Sequence, residues 1–175
     1  MRVLVMGASG SGTSTLGEAL ASVLGARWLD LDGFYWEPTV PPFQTKRDRS
    51  TRLMLLFAEL ASQPNAVLSG SAMNWGVALE DSFDVIVFLA LDSATRVARL
   101  RVRELARFGH VDEEFIAWAA QYDDGTMTGR SRALHEAWLA ARSAPVVRLS
   151  GALPTAAQID CVVALVRELA PCSHG

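Results

Sequence analysis

The sequence predicts an α/β fold in which a parallel sheet of five strands carries helices on both faces. Two observations predict it. Five short apolar segments alternate along the chain with segments whose apolar residues recur at helical spacing. A glycine-rich turn, GASGSGTST, joins the first apolar segment to the first helical one. The 175 residues are enough for one domain with a sizeable core, and they include no internal repeat, low-complexity tract or domain linker.

Each predicted strand is a short run rich in apolar residues. In chain order the runs are Val3–Met6, Arg27–Leu31, Asn65–Ser69, Asp84–Leu91 and Pro145–Leu149. The first run is apolar at every position, which is typical of a strand covered on both faces, and Gly7 ends it.

Each predicted helix carries apolar residues at helical spacing. In chain order these segments are Ser14–Leu24, Arg47–Ser62, Ser93–Phe108, Ser131–Arg142 and Thr155–Leu169. Gly25 suits the C-cap of the first one. Between the second strand and the second helix, residues 33–45 hold three prolines and several aromatics, so we expect an ordered loop there rather than a helix. Residues 110–129 predict one helix and a polar loop.

Composition and charge narrow the classes of function. Half of the residues are apolar and a fifth are charged, as in ordinary globular proteins, and the net charge of −3 argues against a nucleic-acid partner. The longest apolar runs, such as Val85–Leu91, are far too short to cross a bilayer, and Val3–Met6 leads into a glycine loop rather than a signal peptide. Cys161 and Cys172 show no disulfide or metal-ligand spacing. We therefore expect a reduced, cytoplasmic protein.

The glycine loop has nearly the spacing of a phosphate-binding loop, G-x-x-x-x-G-K-[ST]. Gly7, Gly12 and Ser14 match this pattern, whereas Thr13 stands where the lysine belongs. At the turn from a strand into a helix, glycines let the backbone approach an anion and the helix N-terminus attracts it. The Ser14 hydroxyl is placed to hold Mg²⁺. The alternative is a turn that only caps the helix.

Two segments carry a resemblance to a known family. GASGSGTSTLGEAL resembles the Walker A segment of the adenylate-kinase-like P-loop kinases of nucleotides and small molecules. LDLDGFYW, residues 29–36, resembles the L-D-x-x-x-W segment of bacterial topology-modulation-type members of this group, and Asp30-x-Asp32 is similar to the D-x-D of shikimate-kinase-like enzymes.

The resemblance implies a three-layer P-loop NTPase fold, ATP with Mg²⁺ as cofactors, and phosphoryl transfer to a small acceptor. It implies a single domain over residues 1–170, with a lid-like insertion around 108–130 and a tail at 171–175. The implied cofactor-binding residues are Gly7, Ser9, Gly10, Ser11, Gly12, Thr13, Ser14, Thr15, Arg99 and Arg107, with Ser14 also as metal ligand. Two residues depart from the family pattern: Thr13, and Ser69 where many relatives have aspartate. Both departures affect catalytic groups.

A site without the P-loop lysine needs another cation, because phosphoryl transfer depends on charge neutralisation. Lys46, the only lysine of the chain, follows the proline-rich loop at the sheet edge where ligands bind in α/β folds. Arginines are the second source. Arg96, Arg99, Arg103 and Arg107 are spaced to form one stripe along a helix, and Arg130 and Arg132 follow the lid segment. We assign catalytic roles to Lys46, Arg103 and Arg130. The alternative for each is a solvated surface cation.

The acceptor side is predicted around the end of the second strand. Asp32 is the candidate to accept the acceptor's hydroxyl proton or to order the water shell of Mg²⁺, and Asp30 to hold the substrate. Tyr35 and Trp36 are candidates for the pocket wall, although aromatics here are equally typical of core. The alternative is that the two carboxylates only help to form a turn. Asp92 is expected only to cap the next helix.

These features favour an ATP-dependent kinase that acts on a nucleotide or another small hydroxyl-bearing molecule. The competing hypothesis is a nucleotide-binding module with little or no transfer activity. Thr13 and Ser69 favour the module, whereas Asp30, Asp32 and the arginines favour the enzyme. The sequence does not identify the acceptor or distinguish ATP from GTP.

Overall fold

The computed structural model describes residues 1–125 and 129–169. Its centre is one parallel sheet with strand order β2-β3-β1-β4-β5. The strands are β1 Arg2–Gly7, β2 Arg27–Asp30, β3 Ala66–Ser69, β4 Val85–Ala90 and β5 Val146–Ser150. The predicted α/β fold and its five strands are thereby confirmed. The predicted tail, residues 171–175, and residues 126–128 of the predicted lid lie outside the described residues.

Eight helices connect and cover the strands over the described ranges. They are α1 Thr13–Leu24, α2 Leu31–Tyr35, α3 Arg49–Ser62, α4 Val77–Glu80, α5 Ser93–Phe108, α6 Glu113–Ala120, α7 Arg132–Ala140 and α8 Thr155–Leu169. The bounds of α5 and α8 are those that the sequence predicts. The Asp92 carboxylate accepts a hydrogen bond from the N–H of Thr95 at 2.8 Å, so its predicted capping of α5 is also confirmed.

Two hydrophobic layers hold the helices against the sheet. In β1, Leu4 and Met6 face one layer and Val3 and Val5 face the other, as the alternation of a strand requires. The first layer receives side chains from α3, α4 and α7, and the second receives side chains from α1 and α8. The three-layer arrangement exposes the carboxyl ends of the strands along one edge of the sheet.

Aspartate caps explain two boundaries that the sequence analysis missed. Residues 31–35 form helix α2, although part of this segment was predicted as loop. The Asp30 carboxylate accepts a hydrogen bond from the N–H of Asp32 at 3.0 Å, which starts α2 and ends β2 one residue before the predicted boundary. Asp48 caps α3 in the same way, so α3 begins at Arg49 rather than at Arg47. The single turn α4 has no counterpart among the predicted helices.

The described part of the chain has neither a membrane-spanning helix nor a cluster of metal-binding side chains. No helix there combines the length and the apolar character needed to cross a membrane. No group of three or more His, Cys, Asp or Glu side chains is arranged to hold a metal ion within residues 1–125 and 129–169.

Candidate functional site

The glycine loop between β1 and α1 is wedged against β4 and α5. A Cβ atom at Gly7 would lie 2.6 Å from the carbonyl oxygen of Leu89, and one at Gly10 would lie 2.8 Å from the carbonyl oxygen of Arg96. Gly10 and Gly12 also have left-handed backbones, with φ of 84° and 99°. A side chain does not fit at Gly7 or Gly10, so these glycines let the loop backbone pack directly on its neighbours.

Several backbone N–H groups of this loop are free to bind a ligand. The N–H of Ser11 donates to the carbonyl of Ala8 at 3.1 Å. The N–H groups of Ser9, Gly10, Gly12, Thr13 and Ser14 are among those without an acceptor within residues 1–125 and 129–169. Free N–H groups that converge at a helix N-terminus form a site for anions, phosphate above all. The loop therefore fits the phosphates of a nucleotide.

Ser14 and the two aspartates of the predicted acceptor site are adjacent in space. The Asp30 carboxylate, half-buried at the end of β2, accepts a hydrogen bond from the N–H of Asp32 at 3.0 Å, and the Ser14 hydroxyl lies near it. Burial raises the pKa of Asp30 above its ordinary value, and the Asp32 charge adds to this. The Asp32 N–H, the Arg107 charge and the Ser14 hydroxyl oppose the shift. A hydroxyl and two carboxylates thus meet beside the glycine loop, and oxygen ligands of this kind suit Mg²⁺.

One cleft at the carboxyl edge of the sheet collects nearly all of the predicted site residues. Its lining includes Ser9, Gly10, Ser11, Gly12, Thr13, Ser14, Thr15, Asp30, Asp32, Tyr35, Trp36, Lys46, Arg99, Arg103, Arg107 and Arg130. Gly7 is the predicted residue that the lining omits, because it lies beneath the loop against β4. Spatial proximity leaves the individual roles as predictions.

The α5 arginines divide between the interior and the cleft. Arg96 is fully buried and donates to the carbonyls of Leu91 and Ala119 and to the Asp123 carboxylate, the last at 2.7 Å. Arg96 therefore shares the predicted spacing of the stripe but is not a cation of the cleft, because its guanidinium is held in the interior by these three partners. Arg99 lies against the glycine loop.

The cleft arginines have different partners. A guanidinium nitrogen of Arg99 lies 4.0 Å from where a Cβ atom at Gly12 would be, and it donates to the carbonyl of Gly151 at 3.1 Å. Arg103 pairs with Glu104 at 3.1 Å. Arg107 stacks on the Phe43 ring, 5.1 Å from its centre. Arg99 thus lies beside Gly12 of the glycine loop.

Lys46 lies at the end of a strap, residues 37–45, that faces the cleft. Its backbone pairs with Trp36 in an isolated antiparallel bridge, and the strap closes with a hydrogen bond from the N–H of Glu37 to the carbonyl of Thr45 at 2.8 Å. The Lys46 side chain is exposed and has no ion-pair partner in the described part of the chain. Its ammonium group is thus available to a ligand in the cleft.

Ser69 lies outside the cleft lining and has a structural contact instead. It is fully buried, and its hydroxyl accepts a hydrogen bond from the Trp28 indole at 3.0 Å. A Cβ atom at Gly17 of α1 would lie 3.0 Å from the Ser69 Cβ. Serine at this position therefore satisfies the indole N–H beneath a closely packed helix.

The sequence analysis missed part of the cleft wall. Residues 151–154, between β5 and α8, line it together with Thr155 and Gln158 of α8, as do the stacked rings of Phe115 and Trp118 from α6. The first group follows the carboxyl end of a strand, which is a sequence signal for the ligand-binding edge. The rings of α6 had no such signal, because their position depends on how α6 packs on α5.

Comparison with known proteins gives one sequence relative. No family model matches the chain. The chain is 38% identical over 169 residues to the "Uncharacterized protein YqaC" of Bacillus subtilis (strain 168), an alignment that covers 91% of this chain and 93% of YqaC.

Solved structures resemble the whole chain. A gluconokinase from Sinorhizobium meliloti 1021 matches with a TM-score of 0.58 and 23% identity, over 97% of this chain and 93% of the gluconokinase. A deoxyadenosine kinase from M. mycoides with bound dATP matches with a TM-score of 0.60 and 12% identity, over 95% and 100% of the two chains. The shikimate kinase of Aquifex aeolicus vf5 matches with a TM-score of 0.54 and 17% identity, over 96% and 97%. The chain thus has the α/β fold of P-loop kinases, and by sequence it belongs to the family of YqaC.

Proposed function

We propose that the chain is a P-loop kinase of the topology-modulation type that binds ATP with Mg²⁺ and phosphorylates a nucleotide or another small hydroxyl-bearing molecule. One observation carries the proposal. The glycine loop offers free N–H groups at the start of α1, and Ser14 of that loop lines the same cleft as Asp30 at the end of β2. A phosphate site and a pair of carboxylates therefore share one cleft.

The loop side of the cleft is proposed to hold the triphosphate. The N–H groups of residues 9–14 bind phosphate oxygens, and Ser14 holds the metal ion. ATP with Mg²⁺, when bound, supplies the transferable γ-phosphoryl group and part of the charge neutralisation. Arg99 and Arg107 contact the triphosphate, and Lys46, Arg103 and Arg130 stabilise charge on the transferred group.

The β2 side of the cleft is proposed to hold the acceptor. Asp32 orients the acceptor hydroxyl and accepts its proton, while Asp30 holds the substrate. A carboxylate whose pKa is raised, as at Asp30, also binds a proton more readily than an ordinary one. Tyr35 and Trp36 form the wall of the acceptor pocket. The single domain would close over its ligands through the lid around residues 108–130. Arg130 is the last residue of this lid.

A nucleotide-binding module with little or no transfer activity is the competing function, and Thr13 favours it. Thr13 removes the charge that a lysine there would bring to the β- and γ-phosphates. Ser69 supports it less, because its hydroxyl is occupied by the Trp28 indole. As partners we propose small molecules rather than nucleic acid or a membrane, and we propose the reducing cytoplasm as the compartment.

Calorimetric titration with ATP–Mg²⁺, followed by ADP-coupled assays over a panel of hydroxyl compounds, tests the two functions. The kinase predicts binding and turnover with at least one acceptor, whereas the module predicts binding without turnover. Ser14→Ala should weaken the Mg²⁺-dependent part of binding, and Ser22→Ala, an exposed serine further along α1, should not. Absence of both heat and thermal stabilisation at millimolar nucleotide would contradict both functions.

A further inference from the structure

Arg107, in the last turn of α5, is a cleft arginine that no polar group of the protein holds. Arg99 and Arg103 each have a polar partner, whereas Arg107 makes neither a hydrogen bond nor an ion pair within the described part of the chain. Its guanidinium contacts two aromatic rings instead, 5.1 Å from the centre of Phe43 and 5.2 Å from that of Phe108. Phe108 is its neighbour in α5, but Phe43 belongs to the strap, so this contact joins two separate segments of the cleft lining.

An aromatic ring anchors a guanidinium without pairing its charge. The cation is attracted to the electron-rich face of the ring, and no polar acceptor is needed. A carbonyl takes up one of the N–H donors, as at Arg99, and a carboxylate also neutralises the charge, as at Arg103. The contact with Phe43 therefore restrains Arg107 at the cleft, while its charge stays unpaired and its N–H donors have no polar acceptor among the described residues.

Phe43 is held at this position by the strap at a cost in backbone conformation. Its ring packs edge-to-face on Trp36, with ring centres 6.0 Å apart and ring planes at 70°, and Trp36 itself pairs with Lys46 at the base of the strap. The backbone of Phe43 is left-handed, with φ of 65°, which is unusual for a bulky residue. The side chain is 39% exposed, so core packing does not explain it. A strained aromatic residue in the lining of a cleft instead indicates a role of its ring there.

We propose that Phe43 is a positioning residue that holds the Arg107 guanidinium in place for the phosphates of the nucleotide. A free arginine side chain has many rotamers, and ordering it when a ligand arrives costs binding free energy. A ring that restrains the guanidinium beforehand lowers this cost, so the ligand binds more tightly although the ring does not touch it. The inference rests on the proposed function, because it takes the anion that Arg107 binds to be the triphosphate of ATP.

A double-mutant cycle measured by calorimetry with ATP–Mg²⁺ tests the proposal. Phe43→Leu should weaken binding about threefold, which is what a cation–π contact at an exposed site is worth, and Arg107→Gln should weaken it about tenfold. The double variant should bind like Arg107→Gln alone, because Phe43 acts only through the guanidinium. Phe43→Tyr keeps the aromatic face and should bind like the wild type. Val40→Ala is the control, because Val40 is a fully exposed strap residue outside the cleft lining.

Wild-type affinity in Phe43→Leu, or tighter binding, would overturn the inference, since the ring would then contribute nothing or would withhold Arg107 from the ligand. A further threefold loss on adding Phe43→Leu to Arg107→Gln would also overturn it, because the ring would then act without the guanidinium. Wild-type affinity in Arg107→Gln would overturn it as well. In each of these cases the wild type still binds ATP–Mg²⁺, so the proposed function is not contradicted. Absence of ATP–Mg²⁺ binding in the wild type would contradict the proposed function and the inference together.

Discussion

Gly10→Ala tests whether the conformation of the glycine loop depends on its contact with α5. The new methyl group would lie 2.8 Å from the Arg96 carbonyl oxygen and 3.1 Å from the Leu100 Cγ, at a backbone φ of 84°. Neither neighbour can retreat easily, because the Arg96 side chain is anchored by three hydrogen bonds and Leu100 is fully buried. Left-handed backbone at alanine costs about 1–2 kcal/mol, and overpacking adds about 1–3 kcal/mol.

Gly25→Ala isolates the backbone part of this cost. Gly25 is also left-handed, with φ of 61°, but a Cβ atom there would meet nothing within 4 Å. The two estimates therefore predict that Gly10→Ala lowers the free energy of unfolding by about 2–5 kcal/mol and Gly25→Ala by about 1–2 kcal/mol.

Urea unfolding measures both variants, and calorimetry with ATP–Mg²⁺ measures the site. Because a shifted loop no longer aims its N–H groups at one point, Gly10→Ala should also weaken ATP–Mg²⁺ binding, while Gly25→Ala should bind like the wild type. Equal destabilisation of the two variants, or normal nucleotide affinity in Gly10→Ala, would refute the argument that close packing on α5 shapes the loop.

Three further predictions concern charge. Lys46→Ala should weaken ATP–Mg²⁺ binding about tenfold or more, since a charge-assisted contact is worth roughly 1.5–3 kcal/mol. Unchanged affinity and turnover would leave Arg99 and the other cleft arginines as the source of the missing charge. If Lys46 already contacts the phosphates, Thr13→Lys should bind ATP–Mg²⁺ as tightly as the wild type or more weakly in the same titration. A clear gain in affinity would contradict this role of Lys46. Burial, followed by the Arg130 charge, lowers the pKa of His135 from 6.5 to about 4. The unfolded state therefore binds more protons between these pH values. The free energy of unfolding should fall as the pH falls from 7 to 4, by at most about 3 kcal/mol for this group. Urea titrations at several pH values should show a shallower decline in His135→Gln, and an identical decline would contradict the assignment.

The candidate site divides into residues that sequence reasoning reached and residues that it did not. The glycine loop was predictable because its spacing, its preceding strand and its following helix are all local features of the chain. Asp30 and Asp32 were predictable because Asp30 ends a strand at the ligand-binding edge and Asp32 follows it two residues later. Phe115 and Trp118 of the cleft wall had no such signal, because their position depends on how α6 packs on α5.

The sequence by itself determined the order of strands and helices along the chain, the parallel sheet and the place of the glycine loop, because hydrophobic periodicity and glycine spacing act over a few residues. Only the tertiary structure decided which charged residues reach the cleft. Arg96 and Arg99 stand three positions apart on α5, yet one is buried on Asp123 and the other lies against the glycine loop. Spacing along a helix fixes the angle between two side chains but not the direction in which the helix faces. That direction follows from packing against elements distant in sequence, here α6 on one side and the loop after β5 on the other.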